Sequence, residues 1–236
     1  MSADWDGLAE WWVGEIESDP SYVEDVVPLA LDLLGEVEGL VLDVGCGEGQ
    51  VMRALAPRRV VGCDLSAVLL RHAAGTAPVA AHLVRCRLPG LAWARAGAFG
   101  AATAVTVFEH LADITALFAE LARVVATGGI LVVVSNHPAF TPPGAGPIVD
   151  VTDGEVLWRW GDYLDEVAGE EPAGDGWMTF HHRPVGVLLG SAAQAGWALE
   201  RCEERGISAA ALARHPEMAG QEHLPRLIGL RWRRLA

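Results

Sequence analysis

The chain has 236 residues, 51% of them hydrophobic, and a formal net charge of -14 from 17 Lys and Arg against 31 Asp and Glu. That length suits one decorated domain with a substantial core. The charge has the wrong sign for displacing counterions from phosphates, and the one obvious basic cluster, Arg231, Arg233 and Arg234, is small, which argues against nucleic acid as a partner. No apolar stretch approaches the roughly 20 residues that span a bilayer. The start, MSADWDGLAEWW, is acidic and amphipathic and does not read as a signal peptide. Cys46, Cys63, Cys86 and Cys202 form no CxxC pair and read as free thiols in a reducing compartment. A soluble, cytoplasmic protein without a membrane partner is expected; the oligomeric state is left open.

Leu8, Trp11, Trp12 and Ile16 recur at helical spacing over residues 5 to 16, and a second helix follows Asp19-Pro20 with Tyr22, Val26, Leu29 and Leu33 inside. GLVLDV at 39 to 44 then reads as a buried strand, with a helix at about 49 to 56. RVVGCD at 59 to 64 is a second strand, leading into a helix from about Ser66 to Ala74. PVAAHLV at 78 to 84 and AATAVTVF at 101 to 108 supply two more strands. A helix over 113 to 125 and the strand GGILVVVS at 128 to 135 follow. This alternation predicts a parallel sheet covered on both faces. Residues 136 to 183 break the rhythm: they are rich in Pro, Gly and Trp, and nine carboxylates face one Arg between Asp150 and Asp175. That segment is expected to be a lid inserted after the fifth strand. A helix from about Pro184 to Ala195 and strands at about 197 to 204 and 226 to 233 close the chain.

The sharpest signal is LVLDVGCGEGQ at 40 to 50, where a strand ends in Asp43 and Gly45, Gly47 and Gly49 alternate before a helix. In open α/β sheets ligands bind beyond the carboxyl ends of strands, and glycines there let the backbone approach a ligand. The spacing is GxGxG, whereas dinucleotide-binding folds carry GxGxxG, which counts against an NAD-dependent oxidoreductase. Asp64 closes the next strand, 21 residues after Asp43, where a carboxylate can accept hydrogen bonds from both ribose hydroxyls.

On these residues the chain resembles the class I S-adenosylmethionine-dependent methyltransferases, over roughly residues 38 to 135. The resemblance implies a Rossmann-like, doubly wound, seven-stranded sheet, mostly parallel with an antiparallel last strand and helices on both faces. It implies one domain, 1–236. Residues 1–37 would form an amino-terminal helical cover, 38–135 the cofactor-binding core, 136–183 the lid, and 184–236 the final helix and strand pair. It further implies that Gly45, Cys46, Gly47 and Gly49 lie along the methionine portion of S-adenosylmethionine. Asp43 would fix its amino group or the loop, Asp64 the ribose, and Leu65 the adenine. Leu88, Val107 and His110 are carried over as further cofactor contacts, and S-adenosylhomocysteine is the implied product. Two positions depart from the family pattern. Arg85, Cys86 and Arg87 stand where an acidic residue usually meets the adenine, so backbone groups near Cys86 and Arg87 are expected to hold it; Gly100 follows Phe99 where an Asp is frequent.

Methyl transfer from a sulfonium needs an acceptor in line and a route for its proton, and histidine is the natural base near neutral pH. His181 and His182 in TFHHRPV, after the lid, and His110 in TVFEHL, past the fourth strand, are the candidates. No metal is expected, because Thr106 stands where the first acid of the family's Glu-x-x-Glu-His cation cluster would be, although Glu109 and His110 remain. Trp11, Trp12, Trp158 and Trp160 are expected to wall the acceptor pocket, suiting a planar or apolar small molecule. O-methylation leads N- and C-methylation; the alternative is a cofactor-binding relative without turnover, serving regulation or assembly.

Overall fold

The computed structural model describes residues 4–78 and 81–236; Val79 and Ala80, within the expected third strand, lie outside the described residues. Helix α1 (Trp5–Ser18) starts on Asp4, whose side chain accepts from Gly7 N. One π-helical turn, Tyr22–Val26, leads into α2 (Val27–Leu34), so the single helix expected there is two conformations in series. Then β1 (Val41–Val44), α3 (Gln50–Ala54), β2 (Val60–Asp64), α4 (Ala67–Thr76), β3 (Ala81–Arg85) and β4 (Phe99–Val105) alternate. Helix α5 (Ile114–Val124) and β5 (Val125–Asn136) complete the parallel part.

The segment after β5, expected to be a lid, is not irregular. It folds as two antiparallel hairpins, β6 (Gly146–Val149) with β7 (Val156–Arg159) and β8 (Val167–Ala173) with β9 (Gly176–His182). Helix α6 (Val185–Gln194), β10 (Trp197–Arg205), a short α7 (Ala209–Arg214) and β11 (Leu227–Arg234) finish the chain.

Seven strands form one sheet in the order β10-β11-β5-β4-β1-β2-β3. The β1 to β5 pairings are parallel, and β11 runs antiparallel to both β5 and β10. The strands are apolar on both faces because both are covered. In β5, Ile130, Val132 and Val134 pack with Leu29 and Leu33 of α2 and Met52 of α3, whereas Leu131 and Val133 pack with Phe118 of α5 and Leu188 of α6. Strand order reverses between β1 and β4, which opens the crevice that ligands use in such sheets. Gly100 lies against the carbonyl of Glu38 with no room for a Cβ, which accounts for the missing Asp.

Helix α1 lies over that crevice, tied at several points. Asp6 accepts from Ser66 Oγ (2.8 Å) and Val68 N (3.2 Å) and pairs with Arg85 (3.1 Å). Glu10 pairs with His72, and Trp12 Nε1 donates to Glu48 (3.2 Å). Trp11 and Leu8 turn the other way, against Gly174 and Met178 of the second hairpin.

Candidate cofactor and methyl-transfer site

A cleft of ≈ 930 Å³, counted to its open mouth, lies over the carboxyl ends of β1, β2 and β4. Its floor is the loop after β1. Gly45, Gly47 and Gly49 all have positive φ (65°, 52° and 89°), a region that costs other residues energy. At Gly45 there is also no space, since a Cβ would stand 2.5 Å from Val107 Cγ2. Gly49 is the N-cap of α3 and sets the helix start without lining the cleft.

Asp43 is 1% exposed, and its Oδ1 accepts from Thr103 Oγ1 at 2.7 Å. Its Oδ2 is buried without a partner, a costly state. Burial pushes this carboxyl up to about 7, helped by the charges of Asp64 and Glu48. A cationic group arriving in the cleft would restore its ionised form. Asp64 accepts from Gly47 N (3.0 Å) and Ser66 N (2.8 Å), so it staples the glycine loop to the end of β2. Burial raises its pKa although backbone donors oppose the shift. Each carboxylate oxygen keeps a lone pair for a further hydroxyl. The orphaned Asp43 oxygen and the glycine cradle therefore fit an aminoacyl nucleoside with a cationic end.

Cys46, Leu65, Arg87, Leu88, Val107 and His110 also line this cleft. Cys86 does not: its N–H bonds Asp64 O at 2.8 Å. Tyr22, Glu48 and Thr106, not assigned to the site from the sequence, complete the walls with Trp5. Glu48 is buried, with Oε2 held by Trp12 and Oε1 unbonded, 3.8 Å from Arg53. Thr106 sits at φ 51°, a strained conformation for a β-branched residue. Its Oγ1 donates to Val105 O at 2.8 Å, and burial raises the pKa of the Tyr22 phenol. Strain at the end of β4 was the signal available only from the backbone.

The histidines separate. His110 lines the cleft, with its ring between Trp5 (5.1 Å) and Phe180 (4.7 Å). Its Nδ1 lies 3.3 Å from the Thr179 carbonyl. A carbonyl only accepts, so Nδ1 carries the proton and Nε2 is the basic nitrogen. His182 is 2% exposed, outside the cleft, with Nδ1 on Thr141 Oγ1 (2.6 Å) and Nε2 on Tyr163 O (2.8 Å). The expectation that it faces the methyl group is corrected: both nitrogens are spent holding lid segments together. His181 faces a second, smaller cavity with Glu109, Asn136 and Arg183, and burial with the Arg183 charge holds its pKa down. It too is outside the cofactor cleft.

Glu109 accepts from Ser135 Oγ (2.8 Å) and Asn136 Nδ2 (3.3 Å). Among the described residues no group of three or more His, Cys, Asp or Glu is placed to hold a metal. Of the expected tryptophan walls only Trp12 lines the cleft. Trp11 packs on Gly174; Trp158 packs at a tilt on Phe140 (4.2 Å) and donates to Ala139 O; Trp160 is 56% exposed beside Tyr163. Trp11 and Trp158 pin the cover and Trp160 faces solvent, because the hairpins fold onto α1 and residues 137–141 and not over the cleft.

Residues 42–133 match the model of the family described as methyltransferase domain. The chain is also similar across nearly its whole length to an S-adenosylmethionine dependent methyltransferase from Mesorhizobium loti of known structure, with TM-score 0.75, 25% identity, and 93% of this chain and 100% of that one covered. Residues 42–133 thus carry a methyltransferase domain, and the chain has the fold of S-adenosylmethionine-dependent methyltransferases of known structure. The cofactor of these neighbours is S-adenosylmethionine. A glycopeptide N-methyltransferase complexed with S-adenosylmethionine shares the fold at TM-score 0.56 and 16% identity, covering 97% of this chain and 94% of that one. A ubiquinone biosynthesis O-methyltransferase from Hahella chejuensis is 34% identical over 130 residues, 51% of this chain and 54% of that protein. This methyltransferase thus spans about half the length of the curated relatives it matches.

Proposed function

We propose that the chain transfers the methyl group of S-adenosylmethionine to a hydroxyl oxygen of a small, planar, apolar acceptor, with His110 as general base. The observation that carries this is His110 at the cleft wall, oriented by Thr179 so that Nε2 is free of its proton, beside the aromatic surface of Trp5, Trp12 and Tyr22. The name of the curated relatives supports oxygen as the acceptor atom. The high negative charge supports a small-molecule partner over nucleic acid. No helix among the described residues is long and apolar enough to cross a membrane, and the four thiols are unpaired; a reducing, cytoplasmic setting fits them.

In this reading Asp43 meets the cofactor's ammonium, Asp64 its ribose, and Leu65, Arg87 and Leu88 the adenine. When bound, the cofactor supplies an electrophilic methyl on a sulfonium. The aromatic wall holds the acceptor ring flat and sheds water from it. His110 Nε2 accepts the hydroxyl proton as the oxygen takes the methyl, and the Nδ1 contact to Thr179 O stabilises the resulting imidazolium.

Calorimetric titration with S-adenosylhomocysteine, followed by a phenol and catechol panel, tests the proposal. His110→Gln should keep cofactor affinity and lose about a hundredfold or more in rate, whereas Asp64→Ala should lose binding itself. Normal turnover in His110→Gln would remove the base assignment. Tight binding without turnover of any hydroxyl acceptor would leave a cofactor-binding protein in its place.

A further inference from the structure

The His-Arg-Pro run after β9 holds one charged group that the proposed chemistry leaves unused. Arg183 directly follows the last residue of β9, and Pro184 behind it is the N-cap of α6, so its backbone is fixed on both sides. Its side chain is half-buried and directs its donors to backbone carbonyls. Nη1 donates to Phe108 O (3.2 Å) and His181 O (3.4 Å), and Nη2 donates to Ala112 O (3.0 Å) and to Leu111 O. All but the His181 carbonyl belong to the stretch that carries His110. We propose that Arg183 is a positioning residue for methyl transfer: its guanidinium clamps the turn after β4 so that His110 Nε2 stays aimed into the cofactor cleft.

The need for such a clamp comes from the turn itself. Phe108–His110 is a single 3-10 turn, and the last carbonyls of a helix have no partner within it. Residues 111–113 then lead to α5 without regular structure. A guanidinium is a planar fork with several donors, so one side chain meets carbonyls that diverge from one another. A Lys ammonium is a compact charge and cannot span them in the same way. From the other side, Glu109 accepts from Ser135 Oγ (2.8 Å) and ties the turn to β5. His110 lies between these two anchors.

The ring of His110 depends on that backbone. Its Nδ1 contact to Thr179 O is 3.3 Å, long for a hydrogen bond. A small displacement of the turn therefore breaks the contact that fixes the tautomer and turns Nε2 away from the acceptor. Misplacing a reacting group by about 1 Å costs about a hundredfold in rate. Thr179 lies within β9 and Arg183 just past its end, so one segment grips both the ring of His110 and the backbone of its turn. Arg183 does not line the cofactor cleft, so cofactor affinity does not depend on it directly. This role rests on His110 being the base.

The test compares the full chain with Arg183→Ala, Arg183→Lys, His110→Gln and the double variant Arg183→Ala/His110→Gln. Hydrogen exchange read by mass spectrometry needs no acceptor: in Arg183→Ala the amides of residues 108–113 should exchange faster while those of β1 and β4 keep their protection. Calorimetry should find the affinity for S-adenosylhomocysteine unchanged. With a phenol or catechol that the unmodified chain methylates, kcat should fall about 30- to 100-fold with little change in KM. Guanidinium chloride, well below unfolding concentrations, should restore part of that rate by entering beside the small cavity that Arg183 lines, and should restore nothing in the double variant. The double variant should lose no more than His110→Gln alone, because both changes act on one group. If Arg183→Ala does not fold, Arg183→Lys carries the test, with kcat about tenfold lower and affinity unchanged; full turnover there overturns the proposal. Unchanged exchange at 108–113, a loss of cofactor affinity that matches the loss of rate, or losses that multiply in the double variant overturn it as well. Normal turnover in His110→Gln would instead remove the base reading, while the exchange data still judged the clamp.

Discussion

Gly45→Ala is the most informative single change in the cofactor loop, because two separable costs meet there. The residue sits at φ 65°, and its added Cβ would stand 2.5 Å from Val107 Cγ2 and 3.2 Å from Cγ1. The left-handed conformation costs an alanine about 1–2 kcal/mol. Forcing a methyl into packed surroundings costs about 1–3 kcal/mol more. The expected loss is about 2–5 kcal/mol, a large part of a typical stability of about 5–15 kcal/mol. Val107→Ala removes both methyl groups that crowd the site, so in that background Gly45→Ala should cost only the conformational part. Urea unfolding of the four proteins gives the coupling, expected at about 1–3 kcal/mol. Calorimetry with S-adenosylhomocysteine should show Gly45→Ala losing affinity and the double variant regaining part of it. A cost below about 1 kcal/mol, or equal costs in the two backgrounds, would refute the claim that the turn and Val107 jointly require glycine.

The raised Asp43 carboxyl makes a pH prediction. A folded value of about 7 above the ordinary 3.8 contributes stability that is full below the lower value and lost as pH rises through the upper one. Relative to Asp43→Asn, the ligand-free protein should lose up to about 4 kcal/mol between about pH 4 and pH 8 in thermal melts, and the stabilisation by S-adenosylhomocysteine should be larger at the alkaline end. A flat difference between the two proteins would show that Asp43 ionises normally. Thr106→Gly relieves a strained φ of 51° and should raise stability by about 1 kcal/mol; a destabilised variant would contradict the strain. Asp6→Ala frees α1 from Ser66, Val68 and Arg85 and should speed S-adenosylhomocysteine release in stopped flow, with an unchanged rate counting against α1 as a cover. His182→Ala should lower the melting temperature with little effect on turnover per folded molecule, the reverse of His110→Gln.

The core was legible because its signals are local. Runs such as VLDV and VVGCD end at glycines and acids, and the structure places those ends together over one cleft. Asp43 and Asp64 are 21 residues apart in the chain, yet adjacent parallel strands bring their ends side by side. The cover was less legible. The π turn at Tyr22–Val26 re-aims Tyr22 into the cleft, and helical spacing cannot reveal that. Strand β8, VAGEEPA, carries glycine, proline and two glutamates, all poor strand formers, and forms because β9 pairs with it across the full length. Tryptophan content pointed to the right segments and the wrong faces. Which ring reaches the cleft depends on how α1 and two hairpins dock, a tertiary matter that composition does not encode.

The same docking decides which histidine is free to act. His182 ends β9, where Thr141 and the Tyr163 carbonyl converge from two other lid segments and occupy both ring nitrogens. His110 belongs to the turn after β4 and meets β9 from the opposite side, through Thr179 O on Nδ1 alone. One hairpin strand therefore uses its end to bind a histidine into the scaffold and its middle to orient another towards the cleft. A base needs one nitrogen anchored and the other available, and only the second arrangement satisfies that. Loosening β9 should thus reach turnover through His110, even though no residue of the hairpin lines the cofactor cleft.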